Sequence, residues 1–257
     1  MKSKLTIGLI VAILMMTGGF VGVAQGVSGS EILENLDETM RADSKYMEQE
    51  MVLVSSRGSE RSREIATWSK VEEGSEQMLV RFLAPADVAG TGLLLEDEDM
   101  WLFLPELNNT RRIAGSAREG DFMGSDLTYK DMEALGTTGF SNDYDAELLA
   151  EKDYDGEEAY HLELQPVTDD ISYNKLEMIV SAERWLPLEI KYFEDGEHVK
   201  TLLTFDHDMI DDRWTAQRME MSDHERGTMT KLISNAVDYS GDIDSNIFTV
   251  RNLERGQ

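Results

Sequence analysis

Four histidines, His161, His198, His207 and His224, are the side chains best suited to acid–base or metal chemistry in this sequence. Two of them sit in acidic triplets, Asp206-His207-Asp208 and Asp223-His224-Glu225, which are ligand types a zinc site uses. Both triplets fall in segments with strand character, where adjacent side chains point to opposite faces. Each histidine is therefore separated from its flanking acids, and no metal or other cofactor is expected. Asp153-Tyr154-Asp155-Gly156-Glu157 carries a fragment of a calcium-loop pattern without the closing glutamate, and a hairpin turn explains it better. Gly124-Ser125-Asp126 does not complete a nucleophile elbow. Neither a phosphate-binding glycine loop nor a H-E-x-x-H pair occurs. The chain reads as non-enzymatic, with a secreted hydrolase as the weakest of three functional readings.

The composition narrows the field further. There are 257 residues with 51 acidic and 24 basic side chains, for a formal net charge of −27. Such a polyanion excludes nucleic acid as a main partner. It suits a solvated surface in a salty medium, of the kind halophilic proteins carry. Cysteine is absent, so disulfides, thiolate sites and lipid attachment at an N-terminal cysteine are excluded. The start of the chain has a basic pair, Lys2 and Lys4, then an apolar run from Leu5 to Phe20, then small residues. This is the layout of a signal peptide over residues 1–26, with cleavage expected after Ala24 or Gly26. The alternative is an uncleaved anchor, because Leu5 to Ala24 is about long enough to span a bilayer. Residues 27–257 are read as a single exported domain, in the periplasm or on the extracytoplasmic face of an envelope.

The elements that must position any site are mostly strands. Ser28 or Ser30 can cap a helix reaching about Ala42, with Ile32, Leu36 and Met40 in one stripe. Short period-2 segments follow around Met51, Trp68, Met78–Phe82, Leu94, Trp101–Phe103 and Thr110–Ile113. They resume at Tyr160–Leu164 and continue through Met178, Ile190, Phe205, Met219–Met221 and Met229–Ile233, separated by Asp-Gly and Arg-Gly turn signals. Residues Ser116 to Gly139 interrupt the pattern, and Ser125–Ala134 reads as a capped short helix. The expected fold is α+β, a half-open antiparallel barrel or strongly curved sheet of about ten or eleven strands. Helices cover its concave face.

Twelve of the fifteen methionines lie beyond the leader, many in the strand stripes. Flexible thioethers suit a surface that accepts varied acyl chains. The candidate cavity lining is Trp68, Met78, Val80, Phe82, Leu94, Trp101, Phe103, Met178, Ile190, Phe205 and Met219. The same residues could equally fill a core.

Several stretches resemble one family. Trp101-Leu102-Phe103-Leu104-Pro105, Arg111-Arg112-Ile113 and the run from Phe122 through Gly124-Ser125-Asp126 to Tyr129 and Asp131 resemble outer-membrane lipoprotein-sorting proteins, whose fold is that of the LolA and LolB carriers. Gly156–Pro166, Tyr173–Glu183, Leu186–Ile190 and Lys200–Phe205 resemble that family's later hairpins. The resemblance implies a hydrophobic cavity under a helical lid, with lipidated protein or lipid as cargo. An inner-membrane transporter donor and an envelope acceptor would be its partners. Ile32, Leu36, Met40, Phe122, Met123, Asp126 and Tyr129 then belong to the lid and central motif. Arg63, Arg81, Arg111 and Arg112 are candidates for a polar lock on the lid or for headgroup contact. The second functional reading is a non-transporting accessory module of an envelope export or RND-type transporter complex.

Overall fold

A computed structural model describes residues 26–97, 99–136, 139–167 and 173–256. The signal segment expected over residues 1–26 lies outside this range except for Gly26. Among the described residues no helix is long and apolar enough to cross a membrane.

After helix α1 (Gly29–Met40) the chain runs through β1 (Ser44–Val54), β2 (Glu60–Glu72), β3 (Ser75–Ala84), β4 (Gly92–Glu96), β5 (Asp99–Leu104) and β6 (Asn109–Ile113). Two short helices follow, α2 (Tyr129–Gly136) and α3 (Phe140–Asp143). The second run holds β7 (Tyr144–Tyr154), β8 (Glu157–Pro166), β9 (Lys175–Ser181) and β10 (Pro187–Glu194). It continues with β11 (Glu197–Ile210), β12 (Arg213–Asp223), β13 (Thr228–Asp238) and a final helix α4 (Val250–Arg255).

All thirteen strands join one antiparallel sheet in the order β6-β5-β4-β3-β2-β1-β13-β12-β11-β10-β9-β8-β7. The sheet is curved and unclosed, with β6 and β7 as its two edges. The chain therefore starts at the centre, walks to one edge, crosses to the other and walks back. Residues 114–143 make that crossing, which is why they lie over the sheet instead of extending it.

The strand count exceeds the expected ten or eleven, and the clearest omission is β7. It is an edge strand with most side chains exposed, and its apolar stripe is short, limited to Tyr144, Ala146 and Leu148. Turn chemistry was more readable. Asp155-Gly156 and Asp195-Gly196 both hold positive φ at two consecutive residues, the geometry of a tight two-residue hairpin. Asp211-Asp212 makes the same turn without glycine, at φ 49° and 61°.

Helix α1 starts at Ser28, whose side chain accepts the Glu31 amide at 3.2 Å, and ends at Met40, short of Ala42. Ile32, Leu33 and Leu36 are buried against the sheet. Gly29 seats this helix on β7, because a Cβ there would lie 2.3 Å from the Ala146 carbonyl oxygen. Gly29→Ala must push backbone against backbone, and overpacking of that kind costs about 1–3 kcal/mol. A thermal melt of that variant is expected to show the loss, whereas an unchanged midpoint would mean that α1 does not rest on β7.

The sheet has two apolar faces with separate covers. The inner face carries the main core: Met51, Met78, Val80, Phe82, Leu93, Met100, Leu162, Met178, Ile190 and Leu202, together with α1, α2, α3 and Phe122. On the outer face Leu79, Leu94 and Phe103 pack with Trp68 and Trp101 beneath Ile243, Phe248 and Leu253 of the C-terminal segment.

The outer cluster corrects the expected cavity lining. Trp68 pairs with Leu79, Leu79 with Leu94, and Leu94 with Trp101, so one cross-strand row points outward. Phe103 joins the same face. Phe205 also stands outside, under the Arg218 guanidinium at 4.0 Å from the ring centroid. Here β3, β4 and β5 are covered on both sides. Their apolar residues run on without alternation, and sidedness cannot be read from them.

Candidate functional site

The crossing segment is held to the inner face by three polar anchors. At the first, Phe122 is fully buried, 5.6 Å from Phe82 and 5.7 Å from Tyr129 between ring centroids. Met123 and Gly124 then adopt φ of 51° and 73°, which turns the Met123 carbonyl toward β2. Arg63 on β2 donates to that carbonyl at 2.6 Å while its guanidinium lies over the Phe82 ring at 5.7 Å. Burial lowers the Arg63 pKa from its ordinary value.

At the second anchor, the buried Asp126 carboxylate accepts Thr230 Oγ1 at 2.7 Å, and Thr228 Oγ1 also donates to it. Thr230 Oγ1 in turn accepts the Asp126 amide at 2.8 Å, and Arg226 approaches at 3.3 Å. This one side chain ties the segment to β13. Ser125 Oγ bonds to Leu127 O within the same loop.

The third anchor is Asp131, in the first turn of α2. Thr128 Oγ1 accepts the Asp131 amide at 2.9 Å, and Asp131 Oδ2 accepts the Thr128 amide at 2.8 Å, forming a reciprocal cap. The helix expected from Ser125 thus begins at Tyr129. Asp131 also accepts the Tyr173 hydroxyl at 3.2 Å and lies 3.5 Å from Lys200 Nζ on β11, with both charged groups buried.

Beside α2, which the third anchor holds, lies a cavity of about 130 Å³. Met47, Met78, Met132, Leu135, Ile190, Met219 and Leu232 line it, with Met40 and Arg41 from the end of α1. Polar side chains share the lining, among them Lys45 on β1, Glu76 on β3, Thr204 on β11 and Tyr239.

Of the expected lining, Met78, Ile190 and Met219 reach this cavity. Val80, Phe82 and Met178 belong to the packed inner core at 0–1% exposure. Ile32, Leu36 and Met40 lie on α1, and Phe122, Met123, Asp126 and Tyr129 lie in the segment that crosses the inner face, up to the start of α2.

The four arginines separate. Arg63 holds the crossing segment. Arg81 faces outward and donates to the Leu253 and Asn252 carbonyls at 3.3 Å, closing the C-terminal end of α4, so it is no lid lock. Arg111 and Arg112 are exposed on the edge strand β6, and Arg112 pairs with Asp99. Lys45, Met47, Met132 and Leu135 escaped sequence reading. Met47 and Lys45 precede the first recognised strand stripe, whose odd positions would have included them.

Among the described residues no group of three or more histidine, aspartate or glutamate side chains could hold a metal. His207 bonds to Thr204 Oγ1 at 2.8 Å, and His198 and His224 share Thr201 Oγ1 at 2.9 and 2.8 Å. Burial lowers the His198 and His207 pKa values.

An unclosed antiparallel sheet, with helices and a crossing segment over one apolar face, is the LolA/LolB-like fold, and this chain adopts it. A family model described as "Uncharacterized protein" matches residues 74–255, and the chain belongs to that family. A DUF1329 family protein from Desulfovibrio piger superposes with a TM-score of 0.82 at 28% identity, covering 88% of this chain and 97% of its own. A domain from Vibrio parahaemolyticus, described as outer membrane lipoprotein-sorting, gives 0.81 at 25% identity, covering 88% and 98%. A LolA superfamily protein from Nitrosomonas europaea gives 0.72 at 23% identity, covering 88% and 100%. No curated protein sequence matches.

Proposed function

We propose that the protein is an exported carrier that shields an acyl chain of a lipid or lipidated protein on its inner face. The crossing segment, α1, α2 and α3 act as its lid. The observation that carries this reading is the methionine-lined cavity, roofed by elements that side-chain anchors tie to the sheet. Its size sets the mechanism. At about 130 Å³ it resembles cavities that admit a benzene-sized molecule, about 150 Å³. A long chain therefore requires the lid to move.

Burial of an acyl chain gains about 0.8 kcal/mol per CH₂, so ten carbons supply roughly 8 kcal/mol. Releasing two or three charge-assisted hydrogen bonds costs about 1.5–3 kcal/mol each. The terms are comparable, which is what reversible loading and delivery need. No covalent step is involved. In this reading the protein works in the periplasm, takes cargo from an inner-membrane transporter and passes it to an envelope acceptor.

Native mass spectrometry of protein purified from its own envelope fraction, with a fluorescent acyl-probe titration, tests the proposal. Co-purified lipid or saturable probe binding is expected. Absence of both would overturn it. One observation favours the accessory-module reading instead: most of the inner face is already packed, with Val80, Phe82, Leu162 and Met178 at 0–1% exposure. That module would bind neither lipid nor probe.

A further inference from the structure

Lys45 is the feature that the carrier reading leaves unexplained. It lies two residues before Met47 on β1, on the inner-face side of the pleat, and lines the cavity. Among the described residues its ammonium has no hydrogen bond or ion pair, in a chain where acids outnumber bases by about two to one. Arg213, at the start of β12, stands close enough to repel it. Arg213 itself donates to the Thr39 carbonyl at 3.3 Å and lies 5.5 Å from the Tyr239 ring centroid, and both of those residues line the cavity. The carbonyl-rich end of α1 accounts for Arg213. It does not account for a second cation beside it facing apolar side chains.

The other charged groups on the lining do not neutralise Lys45. Arg41 adds a further cation. The Lys70 ammonium turns away to the Ile243 carbonyl and the Ser245 hydroxyl, at 3.0 and 2.8 Å. Glu76 on β3 is the carboxylate of the lining, and Met78, two residues further along, is the β3 residue in the cross-strand row of Lys45 and Ser69. Tyr239 is the remaining titratable group. The site thus joins a hydrophobic pocket to a net positive mouth at the C-terminal end of α1.

We infer that the cavity takes a single-chain amphiphile with an anionic head, a carboxylate or a phosphate. Lys45 and Arg213 hold the head, and the methionine-lined wall receives the first carbons of the tail. This deepens the carrier reading and rests on it. It also gives the lid a direction, since a head held where α1 ends aims the tail toward α2 and Leu232. Burial and the neighbouring guanidinium bring the Lys45 pKa down to about 8. A neutral amine attracts no anion, so affinity for such a ligand falls as pH rises through and above 8.

The experiment is calorimetric titration of the purified protein with dodecanoate, dodecyl phosphate, dodecanol and dodecyltrimethylammonium below their micelle concentrations. Inorganic phosphate and acetate serve as competitors. At least one anionic amphiphile is expected to bind ten-fold or more tighter than dodecanol, and to lose part of that advantage between pH 7 and 10. Comparison of the two anions assigns the head as carboxylate or phosphate. Lys45→Met is expected to shrink the preference for the anions over dodecanol, both measured on that variant, and Lys45→Arg to keep the preference and remove its pH dependence. Equal binding of dodecanol by the unaltered protein would overturn the inference, as would an anion preference that is undiminished in Lys45→Met. Competition by inorganic phosphate as effective as by dodecyl phosphate would also overturn it, by assigning the site to the free ion. If none of the amphiphiles binds, the carrier reading falls as well.

Discussion

Replacing Asp131 with alanine is expected to cost about 3–5 kcal/mol of stability, the usual penalty for breaking a buried ion pair from one side. The carboxylate serves three masters in the core: the Thr128 amide, the Tyr173 hydroxyl and the Lys200 ammonium. Removing it leaves Lys200, itself buried, with the Tyr173 hydroxyl at 3.3 Å as its remaining polar partner. Burial, reinforced by the Asp131 charge, holds the Tyr173 pKa well above the ordinary phenol range, so the ring cannot supply the missing negative charge. For a domain of this size the loss corresponds to a midpoint lower by roughly 6–20 °C. Lys200→Met in the same background should recover part of the loss, because a buried pair replaced by apolar groups is often neutral. Denaturant unfolding of the single and double variants measures both. A single variant within 1 kcal/mol of the parent would show that Asp131 does not carry the anchor.

The second large effect concerns motion. Arg63→Met removes the charge-assisted hydrogen bond from β2 to the Met123 carbonyl while keeping most of the side-chain volume over Phe82. Such a bond is worth about 1.5–3 kcal/mol. The bond ties the crossing segment to the sheet and is no part of the sheet's own ladder, so its loss should appear in lid opening. Exchange of a bound acyl probe is expected to quicken by roughly ten- to a hundredfold, at about 1.4 kcal/mol per factor of ten. Stopped-flow displacement reads this directly. Unchanged exchange with ordinary stability would reduce Arg63 to a packing role.

Much of this architecture was legible before any coordinates. The α1 stripe, the hairpin turns and the special character of the central segment followed from periodicity and turn residues. The resemblance around Phe122–Asp131 falls on the segment that crosses the inner face. Sidedness was not legible at β3–β5. Leu79 and Val80, or Leu94 and Leu95, are equally apolar neighbours, and only register assigns one to each face. The edge strand β7 escaped because only its first half, Tyr144 to Leu148, is covered on one face, and the exposed remainder carries no stripe. Among four arginines, sequence could not choose Arg63 over Arg81, since the choice depends on which backbone carbonyl each meets. Lys45 was invisible for a related reason: an unpaired cation is defined by what surrounds it.

The strand order also governs how such a molecule comes together. Every neighbouring pair in the sheet is consecutive in the chain except β1 with β13, where Met51 meets Leu232. Two meanders can therefore assemble from short-range contacts, each growing by hairpins that close on a microsecond scale. The remaining step joins residues about 180 positions apart. Non-local closures of this kind are slow, because chain entropy is spent before contacts repay it. Until that seam zips, the apolar inner faces of both halves stay uncovered and prone to association. The last hydrogen bonds to form are thus the ones at the middle of the finished sheet.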